Sequence, residues 1–137
     1  MSDMGDFNAA IIEEFRNNQG RVGGNFEGAP LLLLHSTGAK SGTERINPVM
    51  YRQDGGHLYV FASKAGAPTN PDWFHNLKAH PSATVELGTE TFGVIATEVT
   101  GTERDRIYAE QAIEYPGFAE YEEKTDRVIP VVALDRV

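Results

Sequence analysis

Cysteine is absent from the 137 residues, which excludes disulfides, thiolate nucleophiles and cysteine metal sites and leaves the redox compartment open. Positive charge is scarce: 12 Lys and Arg stand against 20 Asp and Glu, a net charge of −8. A nucleic-acid partner needs an extended basic face that this balance does not supply, and attraction to anionic lipid is disfavoured for the same reason. No apolar run approaches membrane-spanning length, and MSDMGDFNAA at the start has neither the basic nor the apolar region of a secretory leader. A soluble cytoplasmic protein with no transmembrane segment is expected. Internal repeats and low-complexity segments are missing too. At 40% apolar and 23% charged residues, the chain suits one compact domain with its own core.

What positive charge there is sits mostly in one window. Residues 35–64 hold Lys40, Arg45, Arg52 and Lys64 against Glu44 and Asp54, a local balance of +2, while the other 107 residues carry 8 basic against 18 acidic side chains, a balance of −10. The loop 37–48 combines two of these cations with Gly38 and Gly42. Its glycines let the backbone turn tightly and present N–H groups, Ser41 adds a hydroxyl, and Lys40 with Arg45 supply charge-assisted bonds to phosphate or carboxylate oxygens. The alternative is a solvated hairpin turn. Arg52 reads as a surface charge.

Phe7, Ala10, Ile11 and Phe15 recur at helical spacing after a cap at Asp6, and Gly20 stands where a helix would stop. Residues 20–30, with four glycines in eleven, read as a flexible connector, and Arg21–Gly28 together with the N-terminal helix reads as a candidate lid. The apolar run Leu31–His35 suits a fully buried strand. Residues 45–53 and 57–63 flank Asp54-Gly55-Gly56, a hairpin signal. A helix is expected over Asn70–His80, capped by Thr69 or Asn70, with Pro71 in its first turn and Trp73, Leu77 and His80 on one face. Strands at Ala83–Leu87 and Thr91–Val99 make a second hairpin. Thr102 with Asp105 resembles a capping box for a helix through Glu114, with Ile107, Ala109 and Ala112 to Ile113 as its apolar stripe. A short helix at Phe118–Lys124 leads to a closing strand, Val128–Leu134, in which Pro130 suggests an edge or a bulge. The pattern predicts an α+β domain on an antiparallel sheet or small barrel.

Spacing removes several chemistries. A Walker A loop needs glycine directly before its lysine and another five residues earlier, where Ala39 and Leu34 stand. In Gly38-Ala-Lys-Ser41-Gly42 the serine is one place late for a hydrolase elbow, and a Ser-x-x-Lys pair is absent. His75 and His80 lie about 140° apart around a helix, which suits no shared metal; no metal site is expected.

Thr37–Pro48 matches T-G-x-K-S-G-x-x-R-x-x-P, and Ala62–Pro81 matches S-K-x-G-A-P-x-x-P-x-W-x-x-N-L-x-A-x-P. In this order, with the tail Tyr115–Tyr121 and Thr125–Pro130, they resemble the deazaflavin-dependent nitroreductase family, whose members use coenzyme F-420. The resemblance covers roughly residues 30–135. It implies a single-domain, FMN-binding-like split β-barrel of about six antiparallel strands with short peripheral helices. Residues 1–29 would form an N-terminal helix and connector, and 30–137 the barrel core. It further implies that Lys40, Ser41, Gly42, Arg45 and Lys64 meet the phosphodiester and oligoglutamate tail, while Pro48, Ala62, Ser63, Trp73 and Asn76 line or support the ring groove. For Trp73 core packing is the alternative, and for Asn76 a bracing role.

By the same resemblance Tyr115 and Tyr121 cover the acceptor side, with Ser63 close by, and any of the three is a candidate to orient the acceptor or relay a proton. Phe118 and Met50 stand where the nitroimidazole-reducing pattern of the family carries tyrosines. This more apolar pocket favours a conjugated enone or quinone over an activated nitroaromatic ring. The partner is then a small-molecule acceptor, a homodimer is left open, and a lipid quinone would bring the protein to a membrane surface. An FMN- or haem-binding barrel and a non-enzymatic coenzyme carrier are the competing readings.

Overall fold

The computed structural model describes residues 3–20 and 30–137; the glycine-rich lid candidate falls almost wholly outside them. Strands β1 (Leu31–Thr37), β2 (Glu44–Asp54), β3 (His57–Phe61), β4 (Ser82–Leu87), β5 (Glu90–Val99) and β6 (Val131–Arg136) close a barrel in the order β1-β2-β3-β6-β5-β4. Every pairing is antiparallel. Helices α1 (Asp3–Asn17), α2 (Asp72–Ala79), α3 (Gly101–Glu114) and α4 (Gly117–Lys124) surround it. This is the expected α+β six-stranded barrel.

The unbroken run of leucines in β1 has a direct cause. Leu32 and Leu34 point into the barrel with Val60, Val85 and Leu134, whereas Leu31 and Leu33 point outward onto Ile11 and Phe15 of α1. All four are buried, each contributing about 1.5–3 kcal/mol over the exposed state. β6 repeats the pattern, with Val132 and Leu134 inside and Val131 and Ala133 under α3 and α4. Its position between β3 and β5 overturns the expected edge or bulge. Pro130 lies just before the strand, where no ladder N–H is required, and its carbonyl accepts from Ala62 N at 2.9 Å.

Turn chemistry fixes the β2–β3 hairpin: Gly55 and Gly56 have φ of 59° and 84°, the positive pair that a two-residue turn matching strand twist requires. The predicted helix caps fail. Pro71 is the N-cap of α2 and Thr100 that of α3, both without a side-chain bond. Asp105 instead accepts from Arg104 Nη1. The buried face of α3 is Arg104, Ile107, Tyr108 and Gln111, while Ala109 and Ile113 are exposed. Two large polar residues displace the expected stripe because Arg104 donates to Ile129 O at 3.0 and 2.9 Å and its guanidinium covers the Tyr108 ring.

One departure from barrel regularity positions the site. β2 pairs with β1 along Glu44–Met50, but its pairing with β3 begins only at Tyr51 opposite Val60. Beyond Phe61 the chain stays on the β6 side through Ala62 and then turns away. Residues 44–50 of β2 therefore present an edge without a ladder partner among the described residues. Pro48, lacking an N–H, is tolerated on such an edge.

Candidate functional site

The 38–43 loop is a closed hydrogen-bonded turn. Gly38 N donates to Thr43 O at 2.8 Å and Gly42 N to Gly38 O at 2.9 Å, and the Ser41 and Thr43 hydroxyls bond at 2.8 Å. A side chain at Gly38 would strike Ser41 Oγ. The loop is held from α2: buried Asn76 accepts from Ala39 N at 2.9 Å and donates through Nδ2 to Ser36 Oγ at 3.2 Å. Both ends of its amide are thus committed to bracing the loop. Asn76→Leu leaves Ala39 N and Ser36 without these partners, at about 1–3 kcal/mol. Thermal unfolding should show the loss, and anion affinity should fall about tenfold; unchanged affinity would separate the brace from the site.

The other side of the split is the Ser63–Gly66 turn. Lys64 holds a left-handed φ of 46° and Gly66 a φ of 82°. A Cβ at Gly66 would lie 3.1 Å from Tyr121 O and 3.0 Å from Lys124 Cβ, so the turn is pressed against α4. Arg127, to which the sequence reading assigned no role, pins it. Its Nε donates to Ala67 O at 3.0 Å, Nη1 to Ala62 O at 3.1 Å and Asn70 Oδ1 at 2.7 Å, and Nη2 to Ser63 O at 2.8 Å. Burial lowers the Arg127 pKa. Asn70, expected as a helix cap, serves this clamp.

Charge separates this region from the rest of the surface. Arg16, Arg52, Lys78, Arg104, Arg106 and Arg136 each face a carboxylate. Lys40, Arg45, Lys64 and Lys124 face none among the described residues; Lys64 reaches only Thr69 Oγ1 at 3.4 Å. Two lie on the β1–β2 loop and its strand, and two at the Ser63–Gly66 turn. Lys124 is the member that the sequence reading missed, because only folding brings α4 beside Gly66. Arg52 corrects another expectation: it is 19% exposed and bonded to Glu114 Oε1 at 2.6 Å, not a solvated surface charge.

Met50, Tyr115, Phe118 and Tyr121 gather on the outer barrel face, packed against Tyr59, Phe61 and Tyr108. Phe118 is buried, with ring centroids 5.5 Å from Phe61 and 5.3 Å from Tyr121. Tyr108 donates to Phe118 O at 2.7 Å and its pKa is driven up by burial, which ties the start of α4 to α3. Burial, then Glu114, raises the Tyr115 pKa, opposed by Arg52. Ser63 is buried at the turn. Trp73 packs inside the barrel with Phe74 and Leu77, the core role left open above, and His75 and His80 are exposed.

Cations without a carboxylate partner, on the β1–β2 loop and its strand and at the Ser63–Gly66 turn, suit an anionic ligand. The sequence profile of the F420H(2)-dependent quinone reductase family matches residues 10–136. The chain belongs to this family. The F420H(2)-dependent quinone reductase Rv1261c of Mycobacterium tuberculosis is 39% identical over 126 residues, covering 89% of this chain and 85% of that protein. A solved F420-H2 dependent reductase, FDR-A, aligns at TM-score 0.70 with 39% identity over 77% of this chain and 94% of its own. A second solved relative, a domain-swapped dimer, reaches TM-score 0.72 at 35% identity over 97% and 98%. Membership of the F420H(2)-dependent quinone reductases makes coenzyme F-420 the cofactor and a quinone-type molecule the hydride acceptor. Among the described residues no helix is long and apolar enough to cross a membrane.

Proposed function

We propose that Lys40, Ser41, Gly42 and Arg45, with Lys64 across the split, hold the phosphodiester and glutamate tail of coenzyme F-420. The ring then follows the open β2 edge at Pro48 towards Ala62 and Ser63, above the support given by Trp73 and Asn76. The observation that carries this reading is electrostatic: a chain of net charge −8 pairs six of its cations with carboxylates, commits Arg127 to backbone carbonyls and Asn70, and leaves Lys40, Arg45, Lys64 and Lys124 without a carboxylate among the described residues. Concentrated unpaired charge raises the local concentration of an anionic ligand. Lys124, beside Gly66, adds to the same field.

When bound, the reduced coenzyme supplies a hydride from C5, so the protein needs no thiol or metal for that step. The chain's own residues orient the acceptor, exclude water and supply a proton. Met50 and Phe118 give the acceptor an apolar wall, consistent with a quinone. Tyr115, Tyr121 and Ser63 are the proton-bearing hydroxyls at that wall. Tyr115, like an ordinary tyrosine, carries its proton at neutral pH; burial raises its pKa further, which suits the hydroxyl to hydrogen-bonding the reduced, anionic acceptor.

Anaerobic titration with coenzyme F-420 and with FMN tests the reading, followed by an absorbance-monitored screen of menadione, cyclohexenone and a nitroimidazole. F-420 should bind more tightly than FMN, and menadione should be reduced fastest. Equal or better binding of FMN would overturn the cofactor placement, and a preference for the nitroimidazole would overturn the acceptor wall.

A further inference from the structure

Three cations converge on residues 63–70 with no carboxylate partner among the described residues. Arg127 is half-buried and commits its guanidinium to the Ala62, Ser63 and Ala67 carbonyls and the Asn70 amide. Those bonds satisfy its N–H groups and leave its charge uncompensated. Burial lowers its pKa, and no carboxylate opposes the shift. Lys64 stands in the same turn, its ammonium 3.4 Å from the neutral Thr69 Oγ1. Lys124 arrives from α4: a Cβ on Gly66 would lie 3.0 Å from Lys124 Cβ and 3.2 Å from its Cδ, so the lysine stem runs across the glycine. Charge taken out of water is normally paired, and this patch belongs to a chain of net charge −8.

The position of Lys124 goes against a pairing that the sequence offers. Glu120 lies four residues before it on α4, the spacing and order in which a Glu–Lys pair stabilises a helix. That pair is not made. The stem packs on Gly66 instead, which keeps its apolar length on the turn and its ammonium in solvent. Gly66 has a φ of 82°, and any larger residue there would push the stem away. Lys124 is thus held at the turn that carries Lys64. Two ammonium groups at one turn, above a guanidinium, repel one another until an anion joins them. The kind of anion follows from the donors. On the other side of the split, the Arg45 fork and the Ser41 hydroxyl suit a phosphodiester fixed close to the ring. Lys64 and Lys124 are point charges on flexible four-carbon stems, which suit carboxylates whose positions vary along a flexible chain.

We propose that Lys64 and Lys124, above Arg127, form a second anion subsite that takes carboxylates of the coenzyme's glutamate tail, with Lys124 as the residue that makes affinity depend on tail length. The inference rests on the placement of the tail across the split between Lys40, Arg45 and Lys64. A longer tail brings more carboxylates within reach of the two ammonium groups, so affinity rises with the number of glutamates. The phosphodiester, held at Lys40 and Arg45, is indifferent to Lys124.

Fluorescence titration at low ionic strength compares coenzyme F-420 carrying a long glutamate tail, the glutamate-free form that keeps the phosphodiester, and the tail-less deazaflavin. Lys124→Gln should weaken the long-tailed form about fivefold, the upper end for an exposed ion pair, and leave the glutamate-free form within about twofold of wild type. Lys124→Arg, which keeps the charge, should bind both forms as wild type does. Lys64→Gln gives a second reading of the subsite and should show the same preference, whereas Lys40→Ala with Arg45→Ala should weaken both phosphodiester-bearing forms. In about 1 M salt the effect of Lys124→Gln should vanish, since charges are then screened beyond about 3 Å. Lys124 makes no ion pair among the described residues, so the melting temperature of its variants should stay within about 2 °C of wild type. Equal loss on the long-tailed and glutamate-free forms, no loss on either, or a loss that Lys124→Arg does not rescue would overturn the subsite. So would a changed kcat/KM for menadione at unchanged coenzyme affinity, which would put Lys124 on the acceptor. If wild type binds the tail-less deazaflavin as tightly as the long-tailed coenzyme, the placement of the tail fails and the subsite with it. If the tail matters and Lys124→Gln does not discriminate, the subsite alone fails.

Discussion

Changing Lys40 and Arg45 together to alanine will weaken coenzyme F-420 binding by roughly 100-fold at low ionic strength, because each charge-assisted contact is worth about 1.5–3 kcal/mol and 1.4 kcal/mol is tenfold. A deazaflavin without the tail should lose less than about threefold, since it offers those two side chains nothing to hold. The gap should narrow as salt is added, because both residues are exposed and exposed charges are screened beyond about 10 Å at 0.1 M salt. Neither side chain has a carboxylate partner to orphan among the described residues, so the thermal midpoint should move little. Fluorescence titration with both ligands reads the result. Equal losses for tailed and tail-less forms would mean that the loop holds the ring or the fold.

Arg127→Ala should be the most damaging single change outside the barrel interior. The guanidinium makes four hydrogen bonds into residues 62–70, and its removal leaves Ala62 O, Ser63 O, Ala67 O and the Asn70 amide without them. Even after relaxation and water entry, about 2–4 kcal/mol of stability should be lost, or roughly 10 °C in the thermal midpoint for a domain of this size. The Ser63–Gly66 turn carries Lys64 in a left-handed conformation that costs on the order of 1–3 kcal/mol and persists only while its surroundings enforce it. Coenzyme affinity should therefore fall with stability. Arg127→Lys should restore less than half of either, because a single ammonium cannot reproduce a planar fork directed at several carbonyls. A midpoint within about 2 °C of wild type for Arg127→Ala would show that the clamp is dispensable.

Local signals were legible wherever the chemistry is local. The Gly55-Gly56 turn, the doubly buried β1 run and the end of α3 at Glu114 follow from backbone conformation and side-chain period, and each stands close to where its residues placed it. The caps of α2 and α3 were misread because a side chain that can bond its own helix was claimed by something distant in sequence: Asn70 by Arg127, Asp105 by Arg104. The α3 stripe failed for a related reason. Arg104 and Gln111 look like solvent residues until Ile129 and the outer face of β2 arrive beside them.

Charge patterning in the sequence by itself marked residues 37–48 as the candidate anion site of this acidic chain, and the motifs at 37–48 and 62–81 determined the family, because glycine placement and charge are properties of contiguous residues. Tertiary structure decided what lies opposite that loop. The split in the barrel exists because β3 stays with β6 while residues 44–50 of β2 pair only with β1. Lys124 reaches the Lys64 turn only because α4 packs against Gly66, and Arg52 meets Glu114 only because the end of α3 lies beside β2. The β3–β6, Lys124–Gly66 and Arg52–Glu114 contacts join residues at least 58 positions apart, and no local period encodes such a distance. The barrel's closure, a balance of burial over all six strands, sets it.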